Sequence, residues 1–190
     1  MHHRVKNNFQ LLISISNIQK SSASDPYLKN ILMENNNRVI AMNLIHDEIY
    51  FKKNITHVNM HKYLSGIANN LLDMYKQSLN KDVKLGVHIP DLFLEFNKAF
   101  NIGILVNELI TNCFKHAFNE EGKSALLELH FEFLKSSGYR LTIKDNGPGA
   151  KSLMKSDSMG NKIINSQVKM LNGRLISNNT DGQTFCIEFM

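Results

Sequence analysis

Asn107-Glu108-Leu109-Ile110-Thr111-Asn112-Cys113-Phe114-Lys115-His116 is the stretch that decides the fold. Its apolar residues recur at helical spacing, and the spacing predicts a helix over residues 99–118. Glu108 and Asn112 are four apart, so a carboxylate and a carboxamide share one helix face, with Lys115 close by. Leu109 and Phe114 turn the other way, toward a sheet. An oxygen-rich pair beside a lysine suits Mg²⁺ bridging phosphate oxygens, since that ion takes hard oxygen ligands. The same pair also fits a solvated helix face.

Downstream, three glycine-bearing turns follow in order. Asp145-Asn146-Gly147-Pro148-Gly149 ends a predicted strand, where the glycines let the backbone approach a ligand and Asp145 can accept a hydrogen bond from an exocyclic amine such as adenine's. Ser158-Met159-Gly160-Asn161-Lys162 opens an amphipathic helix, whose free N–H groups and Lys162 form an anion site. Asp181-Gly182-Gln183-Thr184 precedes the last strand. Taken singly, each is also an ordinary turn or helix start.

Around these motifs, Asn59 caps a predicted helix over residues 60–75, and alternation marks strands at 83–89, 92–96, 127–134, 139–144, 175–177 and 185–189. A further helix is expected over 160–171. Residues 55–190 are therefore expected to form an α+β domain, with helices on one face of a mostly antiparallel sheet.

Residues 1–54 differ. Leu11, Ile15 and Ile18 form one stripe, and Leu28, Leu32, Asn35, Val39, Met42, His46 and Ile49 follow heptad steps. Ser24-Asp25-Pro26 supplies a capping acid and a proline for the first helical position, so two antiparallel helices are expected. Such a hairpin cannot enclose a core alone, and two copies should pair into a four-helix bundle. Asn35 and His46 either fix the register of that bundle or lie at its solvent edge.

Composition sets the outer bounds. The chain has 190 residues, 43% hydrophobic and 21% charged, which excludes disorder and a membrane-embedded body. No apolar run is long enough to span a bilayer. Two distant cysteines, Cys113 and Cys186, fit neither a disulfide framework nor a zinc site, so a reducing cytoplasm is the expected location. The net charge of +5 is scattered singly or in pairs, and no nucleic-acid partner is expected from it.

The order of the four motifs resembles the Bergerat-type ATP-binding domain of gyrase-like ATPases, MutL and histidine kinases, a two-layer α/β sandwich. The four segments match that family's N-box and its first, second and third glycine boxes. Met1-His2-His3-Arg4-Val5-Lys6-Asn7-Asn8 resembles the H-box of the histidine kinases with an HRxxNN pattern, and residues 38–48 resemble their second dimerisation helix. The resemblance implies a homodimeric, ATP-dependent kinase with His3 as phosphate acceptor and a response-regulator receiver domain as partner. It implies Asn112 as the Mg²⁺ ligand and Glu108 as the group that polarises a proton or a metal-bound water. Lys115, Lys162, Asp145, Gly147, Gly149, Gly160, Gly182, Gln183 and Thr184 would surround the nucleotide, with residues 150–158 as a short lid. His116 would pack near the base or cap its helix. Gln183 stands where the third box often has threonine. A nucleotide-binding scaffold without phosphotransfer, or a clamp-type ATPase, remains the competing implication.

Overall fold

A computed structural model describes residues 2–50, 57–79, 82–118, 124–135, 138–149 and 158–190, with the backbone alone for 2–4, 49–50 and 77–79. The expected loop at 52–54, the boundary at residue 54, the Ser136-Ser137 turn and most of the lid lie outside the described residues.

Two antiparallel helices, α1 (His2–Ser22) and α2 (Pro26–Tyr50), open the chain. Asp25 makes the break, because its Oδ1 accepts the Tyr27 N–H at 2.8 Å while Pro26 starts the next helix. Asn36 donates to Asn17 at 2.9 Å and Lys6 pairs with Asp47 at 2.9 Å, which sets the register of the hairpin.

In the single chain, α2 buries more than the heptad residues. Leu28 and Asn35 are exposed, whereas Asn36, Asn37, Ala41 and Ile45 are buried. The reason is a second packing partner. One side of α2 lies against α3 (Met60–Leu79) and α4 (Phe96–His116), where Ala41 and Ile45 join the same hydrophobic core as the rest of the chain. Tyr63 Oη donates to the Ala41 carbonyl at 3.2 Å, and Gly66 leaves room for Leu44.

The main sheet has the order β2 (Val83–His88), β4 (Ala125–Leu134), β5 (Gly138–Asp145), β7 (Thr184–Phe189) and β6 (Arg174–Asn178). Only β2 and β4 run parallel within it, joined by a crossover that contains α4. A second, two-stranded sheet pairs β1 (His57–Asn59) with β3 (Phe93–Glu95). Strand β1 was not expected from the sequence. Asn59 caps α3 as expected, its Oδ1 accepting the Lys62 N–H at 2.9 Å.

Along β4 the buried residues Leu127, Leu129 and Phe131 alternate with the less buried Glu128, His130 and Glu132. The first set meets α3 and α4 residues such as Leu64, Ile67, Leu105 and Leu109 in one core. Each large apolar side chain removed from water there contributes about 1.5–3 kcal/mol. The second set leaves the opposite face of the sheet polar. Helix α5 (Met159–Met170) packs beside α4, placing three of the expected motifs at one end of the helical layer.

Candidate functional site

The four motifs meet around Glu108 and Asp145. Glu108, on the buried side of α4, is only 3% exposed, so it is not part of a solvated face. Its carboxylate accepts two hydrogen bonds from the Arg38 guanidinium of α2, both at 2.8 Å, and one from Asn107 Nδ2 at 3.1 Å. Gly160 sits against it, and a Cβ there would stand 3.3 Å from Glu108 Oε2. The first turn of α5 therefore faces a carboxylate, the charge its free N–H groups favour. Ser158 caps that turn by accepting the Asn161 N–H at 3.3 Å.

Asp145 joins the first and third glycine turns. Its buried Oδ1 accepts the N–H groups of Gly147 at 3.0 Å and Gln183 at 3.1 Å, and its own N–H donates to the Gln183 carbonyl at 2.9 Å. Gly182 has φ +84° and touches Asp145 so closely that a Cβ would fall 1.8 Å from the Asp145 carbonyl oxygen. Gly149, with φ +68°, lies against Asn179 and Gly182. Gly147 packs on Ala117 at the end of α4, where a Cβ would come within 2.5 Å of backbone. Burial, and then the Asp145 carboxylate to which it hydrogen-bonds, push the Cys113 thiol well above its ordinary value, so it stays protonated.

Asn112 is half-buried, one turn along α4 from Glu108, and among the described residues its carboxamide takes no hydrogen bond. Lys115 forms an ion pair with Glu34 of α2. His116 ends α4; burial and neighbouring Lys115 lower its pKa from 6.5. Lys162 is exposed on the first turn of α5. Gln183 is buried and donates from Nε2 to the carbonyls of Asn178 and Thr184 at 3.2 and 3.4 Å. Thr184 stands apart from the cluster, opposite exposed Lys144 on the polar face of the sheet. The His3 side chain lies outside the described residues.

Arg38 and Glu34 had no assigned role in the sequence reading. They lie 70 and 81 residues from the groups they bind, and nothing local marks them. The two contacts also show that α4 runs antiparallel to α2. By the hairpin register, Arg38 is level with Ile15 of α1. The His3 backbone is thus about twelve residues, or about 18 Å, farther along α1 at 1.5 Å per residue.

Comparison with known proteins agrees with this architecture. Residues 1–75 match the HisKA_2 histidine kinase family model. The chain is 27% identical over 172 residues to the sensor histidine kinase PdtaS of Mycobacterium tuberculosis, a match covering 88% of this chain and 33% of that protein. It is 26% identical over 182 residues to blue-light-activated histidine kinase 2 of Erythrobacter litoralis, covering 92% and 51%. It thus spans a third to a half of the length of these relatives. The histidine kinase domain of the Erythrobacter litoralis EL346 blue-light activated kinase has the same fold, with a TM-score of 0.73 and 24% identity over 99% of this chain and 90% of that one. Residues 1–75 thus carry the match to the histidine kinase family model, and the chain as a whole is similar in sequence and fold to histidine kinases.

Proposed function

We propose that the chain is the catalytic core of an ATP-dependent histidine kinase, which phosphorylates His3 and passes the phosphoryl group to an aspartate of a response-regulator receiver domain. The observation that carries this reading is the convergence of the Glu108 helix, the Asp145 turn, the α5 start and Gly182 in one cluster. One neutral nitrogen of the His3 imidazole attacks the γ-phosphorus of ATP; a P–N bond forms, the P–O bond to ADP breaks, and the imidazole sheds its proton.

The chain's residues divide the work. Asp145, with one oxygen committed to the Gly147 and Gln183 N–H groups, is held rigidly to receive the adenine amine through its remaining capacity. Asn112, its carboxamide uncommitted among the described residues, is suited to hold Mg²⁺. That ion, when bound, supplies positive charge against the phosphate oxygens. Glu108, one turn away, would take a proton or orient water once Arg38 releases it, and Lys115 and Lys162 would offset phosphate charge once Lys115 leaves Glu34.

The hairpin supports a homodimer. Leu11, Leu12, Ile15, Ile18, Leu28 and Ile31 are all exposed on it, 36–63% each, a stripe that a second copy would cover. No described helix is long and apolar enough to cross a membrane, and we place the chain in the cytoplasm.

Incubation with γ-labelled ATP tests the function. A kinase retains label on the protein; a nucleotide-binding scaffold binds ATP and retains none. A clamp-type ATPase releases phosphate with turnover unaffected by His3→Gln. Either of the last two results overturns the proposal.

A further inference from the structure

The polar face of the sheet, away from the nucleotide cluster, holds a second group of chemistry-bearing side chains. His88 on edge strand β2 is paired in register with His130 on β4, so both imidazoles leave the sheet side by side. Their ring centroids are 4.5 Å apart with planes at 23°. Glu128 is two residues before His130, hence on the same face, and its Oε1 is 3.8 Å from His130 Nε2. One ligand atom from each of His88, Glu128 and His130 lies within 4.8 Å of the other two.

Gly86 builds the space they converge on. It is the register partner of Glu128, and with no side chain of its own it lets the His88 ring fold back toward the carboxylate. A Cβ at Gly86 would stand 3.3 Å from His88 Nε2 and 3.7 Å from Glu128 Cγ. The backbone there needs no positive φ, so the missing side chain matters for the space it leaves and not for conformation.

We infer that His88, Glu128 and His130 form a binding site for a first-row divalent transition metal, Zn²⁺ foremost. Two imidazoles and one carboxylate match the ligand preferences of Zn²⁺, Ni²⁺ and Cu²⁺, whereas Mg²⁺ and Ca²⁺ prefer sets made of oxygen alone. Three protein ligands leave a fourth tetrahedral position to water. A bound ion also joins edge strand β2 to β4 and stabilises the folded chain by mass action.

Titration calorimetry of Zn²⁺ alone into the full chain, purified without an affinity tag, tests the site. One saturable equivalent is expected in the parent and in His2→Asn/His3→Asn, which removes the other adjacent histidine pair. His88→Asn/His130→Asn should abolish it. Glu128→Gln and Gly86→Val should each weaken it at least about tenfold, the smallest loss expected for disturbing a metal's surroundings. Gly86→Val removes no ligand, so its effect reports the cradle itself. The inference is overturned if the parent binds no saturable equivalent, if His88→Asn/His130→Asn binds as tightly as the parent, or if the equivalent disappears with His2 and His3.

Discussion

Arg38 of α2 holds Glu108 of α4 through two parallel hydrogen bonds of 2.8 Å, with the two side chains 14% and 4% exposed. This fork ties the hairpin to the carboxylate proposed to act beside ATP. It also fixes Glu108 at the level of Ile15, about 18 Å along α1 from the His3 backbone. For the proposed transfer to His3 of the same chain, the proposed nucleotide cluster has to leave α2 first.

Breaking the fork costs stability. Arg38→Ala leaves Glu108 buried and uncompensated, and we expect a loss of about 3 kcal/mol, the lower end for a buried pair because Arg38 is partly exposed. Chemical denaturation checks this. A double-mutant cycle with Glu108→Gln should recover part of the loss.

Weakening the outer contact should speed the reaction. Glu34→Gln removes the Glu34–Lys115 ion pair and the Glu34 charge beside Arg38. Removing a partly exposed ion pair worth about 0.5–1 kcal/mol raises the undocked population about two- to fivefold. Initial rates of protein labelling should rise accordingly, and the gain should shrink in high salt.

Gly182→Ala tests the join between the glycine turns. The new methyl would fall 1.8 Å from the Asp145 carbonyl oxygen at φ +84°, so the third turn must move away from Asp145. We expect at least about 2 kcal/mol of destabilisation together with loss of adenine-nucleotide binding, read by thermal melting and fluorescent ATP-analogue titration.

His116 gives stability a pH dependence. Its folded-state pKa is below 6.5, through burial and then Lys115, so the proton prefers the unfolded chain. The contribution is in place above pH 6.5 and is lost as the pH falls through the lowered value. Denaturation at a series of pH values should show a shallower acid-side decline in His116→Gln than in the parent.

The sequence carried much of the fold. Asp25-Pro26 located the hairpin turn, period changes located most elements, and motif order gathered Glu108, Asp145, Gly160 and Gly182 before any coordinate. What escaped depends on distant partners. Strand β1 has three residues, too few to show a period, and exists by pairing Val58 with Leu94. A helical repeat identifies apolar faces without saying which neighbour each meets, so the buried Asn36, Asn37, Ala41 and Ile45 were hidden behind the heptad of Leu28 and Asn35. The burial of Glu108 was hidden for the same reason, since its partner Arg38 lies on another helix.

The most direct test is the site of labelling. With γ-labelled ATP and Mg²⁺, the full chain should acquire one acid-labile, base-stable phosphoryl group, and His3→Gln should acquire none while still binding nucleotide. Label that persists in His3→Gln, or that survives acid, contradicts the account.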